Sequence, residues 1–315
     1  MDAIQLKTET SPSKEAILSP LLTGQLSPNT KRAYQADLLQ FFKITDIHQL
    51  TKEMIQAVAP QDVINFRNDL LQSFKPVTVA RKISTVRTAF EYFVDLGITS
   101  HNPAKSSVVK SPKVPTESLT NGLTQREAEE LLAQPSKNTL VGLRDRSILQ
   151  VLLNNGLRRS EVINLRISDL RMEGSFYVLS VLGKGQKLRL AKLKPQVWQS
   201  IQDYLSARDS KKEPTEYIFQ SHFKGVVKWQ KTFGKISAET IRQLLQKYLK
   251  RLGVHKRITP HSLRHTFTTL AIDGGAQIHQ VQIALGHSDP KTTMRYFRNK
   301  DNLDNNATDF IHLPG

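Results

Sequence analysis

The residues of this 315-residue sequence that could do chemistry together are two arginines, a lysine, two histidines and a tyrosine. The chemistry they suit is attack on an anionic centre. In Asn155-Gly156-Leu157-Arg158-Arg159-Ser160-Glu161 a helix ends at the glycine and another begins at once. Arg158 then stands at a helix N-terminus, where unbonded N–H groups favour an anion, and its planar fork of donors suits two phosphate oxygens. Glu161, one turn on, could fix that arginine or simply complement the helix dipole. Lys184 lies in Gly183-Lys184-Gly185-Gln186, with Lys187 and Arg189 behind it. A lysine on such a tip can deliver a proton to a leaving oxygen; the same residues also suit an ordinary basic turn.

Thr259-Pro260-His261-Ser262-Leu263-Arg264-His265-Thr266 marks a helix start, Thr259 as cap and Pro260 in the first turn. His261 and Arg264 share one face, while Leu263, Phe267 and Leu270 lie on the other. A guanidinium and an imidazole beside a helix start suit an oxyanion. They do not suit a metal, since no carboxylate or third histidine stands at helical spacing. In Leu285-Gly286-His287-Ser288-Asp289-Pro290-Lys291-Thr292-Thr293-Met294-Arg295-Tyr296, Gly286 ends one helix and Ser288 or Asp289 caps the next. His287 falls in the junction and Tyr296 two turns into the new helix, where alone it reads equally as a half-buried anchor.

The elements that must position these residues are mostly helices. Residues 1–26 read as a loose leader. Residues 27–107 read as a small all-α bundle: one helix carries Tyr34, Leu38 and Phe41, a second Val63, Phe66, Leu70 and Phe74, a third Val79, Ile83, Val86, Phe90 and Phe93. A shorter helix is expected near residues 51–58. Lys75, Thr78, Arg81, Lys82 and Arg87 lie at the start of the third helix or off its apolar stripe, a face that could lie on phosphates or be merely solvated. Residues 108–122, with two prolines and no periodicity, read as a linker. The remainder, 123–315, reads as mainly helical with one antiparallel hairpin, FYVLSVL and KLRLAKL, and a short strand at Tyr217-Ile218-Phe219. Helices are expected from Thr124 with Glu127 as its capping box, over about Leu140–Asn154, Ser237–Leu252, Pro260–Asp273 and Ile278–Leu285, and after Pro290.

Composition bounds the function. The absence of cysteine excludes disulfides, thiolate catalysis and Cys-ligated zinc. No apolar run is long enough to span a membrane and no secretory signal opens the chain, so the default location is the cytoplasm. The net charge of +17 is unevenly placed: residues 1–108 hold 12 basic against 10 acidic groups, the rest 33 against 18. A polyanionic partner would be drawn chiefly to the C-terminal part.

As a set, SPNTKRAYQADLLQFF, NGLRRSEV, GKGQKLRL, TPHSLRHTFTT and LGHSDPKTTMRY resemble the tyrosine recombinase (phage integrase) family, and most of all its simple Xer-type members. The resemblance runs from Ser27 over nearly the whole chain. It implies a SAM-like, core-binding helical domain joined to a mostly α catalytic domain in a C-shaped clamp on double-stranded DNA. It implies that Tyr296 attacks the scissile phosphate, leaving a 3′-phosphotyrosyl link and a free 5′-hydroxyl. Arg158 and Arg264 would neutralise the non-bridging oxygens and Lys184 would protonate the leaving oxygen. His261 would assist the tyrosine, and His287 would bind a phosphate oxygen. Neither metal nor ATP is called for, because the covalent link stores the broken bond. Relatives act as four protomers, two per site, with or without a partner recombinase. Asn155 stands where relatives commonly have Thr, and the leader is too short for an arm-site domain of the larger phage integrases. Rival readings are a type IB topoisomerase or hairpin-end resolving enzyme, which His261 disfavours because such topoisomerases generally have Lys there. A non-catalytic DNA-binding regulator would have lost part of the set, and a nuclease would need clustered carboxylates for metal.

Overall fold

The structure, a computed structural model, describes residues 28–113, 122–183, 187–208, 213–222 and 234–286. The leader, Lys184, His287, Tyr296 and the helix expected after Pro290 lie outside these residues. The chain divides into two compact units, residues 1–116 and 117–315. The first is built from helices α1 (Pro28–Phe42), α2 (Lys52–Gln56), α3 (Pro60–Ser73) and α4 (Pro76–Asp95), with a 3₁₀ turn at Ile47–Gln49. Prolines open α1, α3 and α4 because their fixed φ and missing N–H cost nothing in a first turn. The apolar stripes anticipated from spacing meet in one core, except that Phe74, just past the end of α3, is exposed. Leu38, Val63, Ile83, Val86, Phe90 and Phe93 are fully enclosed, and Phe41, Phe66 and Phe90 pack edge to face.

This unit also buries charge. The Asp37 carboxylate accepts hydrogen bonds from Lys82 (2.8 Å), Thr85 (3.0 Å) and both terminal nitrogens of Arg81, tying α1 to α4. Burial would push the Asp37 carboxyl up, but its bonds to Arg81, Lys82 and Thr85 outweigh that and hold it below the usual carboxylate range. Arg87 donates to the carbonyls of Ala104 (2.8 Å) and Val109 (3.1 Å), stitching the returning chain onto α4. Val109 is buried in this core, so the stretch expected as linker begins inside the domain.

The second unit contains α5 (Gln125–Ala133), α6 (Leu140–Asn155), α7 (Arg159–Val162), β1 (Leu170–Glu173), β2 (Phe176–Leu182), β3 (Leu188–Leu193), α8 (Pro195–Ala207), α9 (Ala238–Arg251), α10 (Pro260–Asp273) and α11 (Ile278–Leu285). Helix α6 is the hub: Ile148, Leu149, Val151 and Leu152 are fully buried, and α5, α8 and α10 pack around it. The antiparallel sheet runs β1-β2-β3, with Leu179 opposite both Leu170 and Ala191. Its inner face (Leu179, Val181, Ala191 and Leu193) joins the core, and Tyr177 stacks on Trp198 of α8 at 4.5 Å. Thr124 and Glu127 form the expected capping box at α5, through bonds of 3.2 and 2.7 Å. No helix among the described residues is long and apolar enough to cross a membrane.

Three elements differ from expectation. Helix α8, not among the expected helices, starts at Pro195 directly after β3 and buries a stripe of Val197, Ile201, Tyr204 and Leu205. Strand β1 adds a third member to the hairpin. Tyr217-Ile218-Phe219 buries Ile218 and Phe219 but forms only a single bridge, Tyr217 to Arg166, because the run is too short for a ladder.

Candidate active site

Two left-handed glycines shape this region. Gly156 (φ 58°) ends α6 and Gly286 (φ 63°) ends α11. Side chains are strained there, and a Cβ on Gly156 would lie 2.6 Å from the Phe267 ring and 2.8 Å from Leu285. The two helix ends deliver carbonyls to one guanidinium: Arg264 donates to Gly156 O and to Leu285 O, each at 2.6 Å. Arg264 is 3% exposed. A buried cation is tolerable there because the negative ends of two helix dipoles face it. The same bonds fix the plane of its fork.

Arg158 caps α7 from the other side of Gly156. Its own N–H donates to Glu161 Oε2 at 2.7 Å and its side chain to Glu161 Oε1 at 2.8 Å, so the carboxylate holds the arginine by both ends. The Arg158 side chain keeps a third of its surface open, at 33%. Glu161 also receives the Arg189 fork at 3.0 and 2.9 Å. Burial would raise the Glu161 carboxyl; Arg189, the Arg158 backbone and the Arg158 side chain together hold it below its usual value, so it stays ionised.

His261 is the second residue of α10, whose start is fixed by mutual bonds between Thr259 and Ser262 at 3.1 and 3.2 Å. Its ring reaches the surface, but crowding by the protein lowers its basicity, and the positive charges of Arg264 and Arg158 lower it further. His261 is therefore neutral near pH 7 and able to accept a proton. Both arginines are close enough to act on it, so three residues spread over more than a hundred positions converge on one spot.

Of the six residues read as chemical, the structure brings together Arg158, His261 and Arg264. Lys184, His287 and Tyr296 lie outside the described residues, though two neighbours are placed. Gly183 N donates to Lys187 O at 2.8 Å across the base of the hairpin, and Gly286 immediately precedes His287. Asn155 donates to Lys192 O at 2.7 Å, joining the end of α6 to β3. No cluster of metal-ligating groups exists among the described residues.

In the first unit, Lys75 is exposed and Thr78 partly so. Arg81 is bound to Asp37 with 47% of its side chain open. Lys82 is buried against Asp37 and Gln40, and Arg87 is engaged with backbone carbonyls, so these two work inside the fold rather than on a free face. Sequence reasoning passed over Arg189. Strand alternation places it on the same side as buried Ala191 and Leu193, and an arginine on an inward face requires a partner.

Comparison with known proteins bears on the same residues. The Phage integrase family matches residues 121–302, and the Phage integrase, N-terminal SAM-like domain matches residues 21–97. Tyrosine recombinase XerC of Myxococcus xanthus is 31% identical over 276 residues, covering 86% of this chain and 87% of that protein. Tyrosine recombinase XerD of Listeria monocytogenes is 33% identical over 278 residues, covering 86% and 88%. Among solved structures, the Tn1549 transposon integrase in complex with circular intermediate DNA superposes with a TM-score of 0.69 at 18% identity, covering 96% of this chain and 100% of that one. XerH recombinase bound to its difH substrate gives 0.65 at 20% identity, covering 87% and 76%.

Proposed function

This chain belongs to the phage integrase family and is a tyrosine-type site-specific recombinase, and from that premise we propose how its own residues divide the work at a single DNA phosphate. Tyr296 is the nucleophile. Its oxygen attacks phosphorus in line, the bond to the 5′-oxygen breaks, and the 3′ end stays on the protein as a phosphotyrosine. A 5′-hydroxyl from a second strand reverses the step and completes exchange. Arg264, its plane set by two helix ends, and Arg158, aimed by Glu161, bind the non-bridging oxygens as charge builds on them. His261, kept neutral by its partial burial and by those same two cations, takes the phenol proton. Lys184 gives a proton to the leaving oxygen, and His287 holds a phosphate oxygen.

The observation that carries this reading is the convergence of Arg158, His261 and Arg264 around the αL turn at Gly156. Tyrosine ionises at about 10 in water, so attack near neutrality needs a neighbouring base and cations, and the turn supplies both. The domains work as a helical core-binding unit from residue 27 through Val109, a linker reaching to residue 122 and a catalytic unit over 123–315. Lys75, Thr78 and Arg81 are offered to the DNA from the first unit. The enzyme acts on double-stranded DNA in the cytoplasm as four protomers, two at each site.

The test is capture of a covalent complex on a pool of random-sequence duplexes, with sequencing of the attached strands to define the site. The wild type is expected to yield denaturation-resistant protein–DNA adducts. Tyr296→Phe is expected to bind the same DNA and yield none. Adducts persisting in that variant overturn the nucleophile assignment.

A further inference from the structure

One side chain of the catalytic unit spans several segments, and the division of labour above assigns it nothing. Arg189 of β3 is nearly enclosed, with 12% of its side chain exposed. Its two terminal nitrogens grip both oxygens of Glu161, and its Nε donates to Ala284 O, in the last turn of α11, at 3.2 Å. It also fills the space beside two glycines. A Cβ on Gly286 would stand 3.0–3.2 Å from three of its atoms, and one on Gly183 would stand 3.4 Å from its Nη1. Gly183 immediately precedes Lys184, Gly286 immediately precedes His287, and Glu161 is the carboxylate that holds Arg158. One guanidinium thus bonds the carboxylate that holds Arg158 and the last turn of α11, and lies beside Gly183 at the end of the hairpin strand.

We propose that Arg189 is a positioning residue for strand cleavage, a single bracket that sets Arg158 through Glu161 and fixes the end of β2 and the end of α11 relative to it. This rests on the assignment of Arg158 to the scissile phosphate. The geometry matches what a bracket requires. All the donors are directional, the fork is bidentate, and the residue is rooted in a paired strand rather than in a loop. Lysine cannot reproduce it, since a point charge can satisfy one oxygen of Glu161 but not both oxygens and the Ala284 carbonyl together. A misplacement of about 1 Å at such a centre costs up to about a hundredfold in rate while leaving binding nearly intact. The glycine at 286 fits the same arrangement: a side chain there would crowd Arg189 in addition to being strained by its φ of 63°.

The test compares Arg189→Lys and Arg189→Gln with wild type, using the duplex sequence recovered by covalent capture on the wild-type chain. Cleavage rate against pH, DNA affinity and thermal midpoint are measured on the full chain. R189K is expected to cleave about ten- to a hundredfold more slowly, with affinity within about twofold and a pH profile of unchanged shape, because the positive charge beside Glu161 remains. R189Q is expected to lose at least as much rate. Its acid limb should also move to higher pH, since Glu161 then lacks the cation that holds its carboxyl down. The proposal is overturned if both variants cleave within about twofold of wild type. It is equally overturned if the rate lost is accounted for by the fraction unfolded, with both pH profiles unchanged. Absence of any covalent adduct with wild type would instead refute the underlying assignment, which separates the two failures.

Discussion

Asp37 in the first unit and Glu161 in the second are the same device put to different use. Each is a buried carboxylate holding two basic side chains, both from α4 at Asp37 and from the α7 N-cap and β3 at Glu161. Each stays ionised because its hydrogen bonds and those cations outweigh its burial. At Asp37 the enclosed partner belongs to the fold, while Arg81 keeps 47% of its side chain open. Lys82 is enclosed, Thr85 completes the set, and the result is a pin between α1 and α4. At Glu161 one partner, Arg189, is enclosed as a brace, while the other, Arg158, is held with its outer surface open beside His261. The difference lies in the stub of backbone that carries the carboxylate. Asp37 sits inside a long helix, whereas Glu161 sits one turn into a four-residue helix that opens directly after the αL turn at Gly156. Both pairs leave one cation open to solvent; at the chain reversal that cation stands beside the His261 imidazole.

Substitutions can break that comparison, beginning with the largest expected effect. Arg264→Ala removes the cation on which both helix ends converge, and should slow covalent-complex formation by about a hundredfold or more, on the scale of a lost oxyanion contact. Near-normal cleavage by that variant would detach the site from the Gly156 turn. Asp37→Asn should lower unfolding stability by about 3 kcal/mol, the low end for breaking a buried pair, because half-open Arg81 can turn to water. Cleavage by its folded fraction at saturating DNA should be unchanged.

The sign of the pH dependence follows from the lowered carboxyl. The contribution of Asp37 is complete above the ordinary carboxylate pKa and is lost as pH falls through its depressed folded value. The thermal midpoint of D37N should therefore fall less steeply in acid than that of wild type. A parallel fall would show that the Asp37 pin contributes nothing. Glu161→Gln should do the converse, slowing cleavage by about tenfold through a loosened Arg158 with a smaller change in midpoint. If D37N slowed chemistry and E161Q only melted the protein, the contrast between the two pins would be reversed.

Local signals carried most of the architecture. The capping box at Thr124 and Glu127, the prolines opening α3, α4 and α10, and the glycines closing α6 and α11 are short-range rules that a sequence displays directly. Arg158, His261 and Arg264 were legible for the same reason, each sitting at a helix start or one turn beyond. What stayed hidden depends on partners distant in sequence. Lys82 and Arg87 look like free surface charge until Asp37, Ala104 and Val109 are brought beside them. The job of Arg189 needs Glu161 and Ala284, which only the folded chain supplies. Strand β1, four residues long with no clear alternation, is made by its pairing with β2 rather than by its own composition.

The central claim is that one tyrosine, Tyr296, becomes joined to the DNA. Proteolysis of the trapped adduct followed by mass spectrometry of the nucleotide-bearing peptide tests it most directly. A single modified peptide carrying a nucleotide 3′-phosphate on Tyr296 is expected. A nucleotide on any other residue, or attached through a 5′-phosphate, would contradict it.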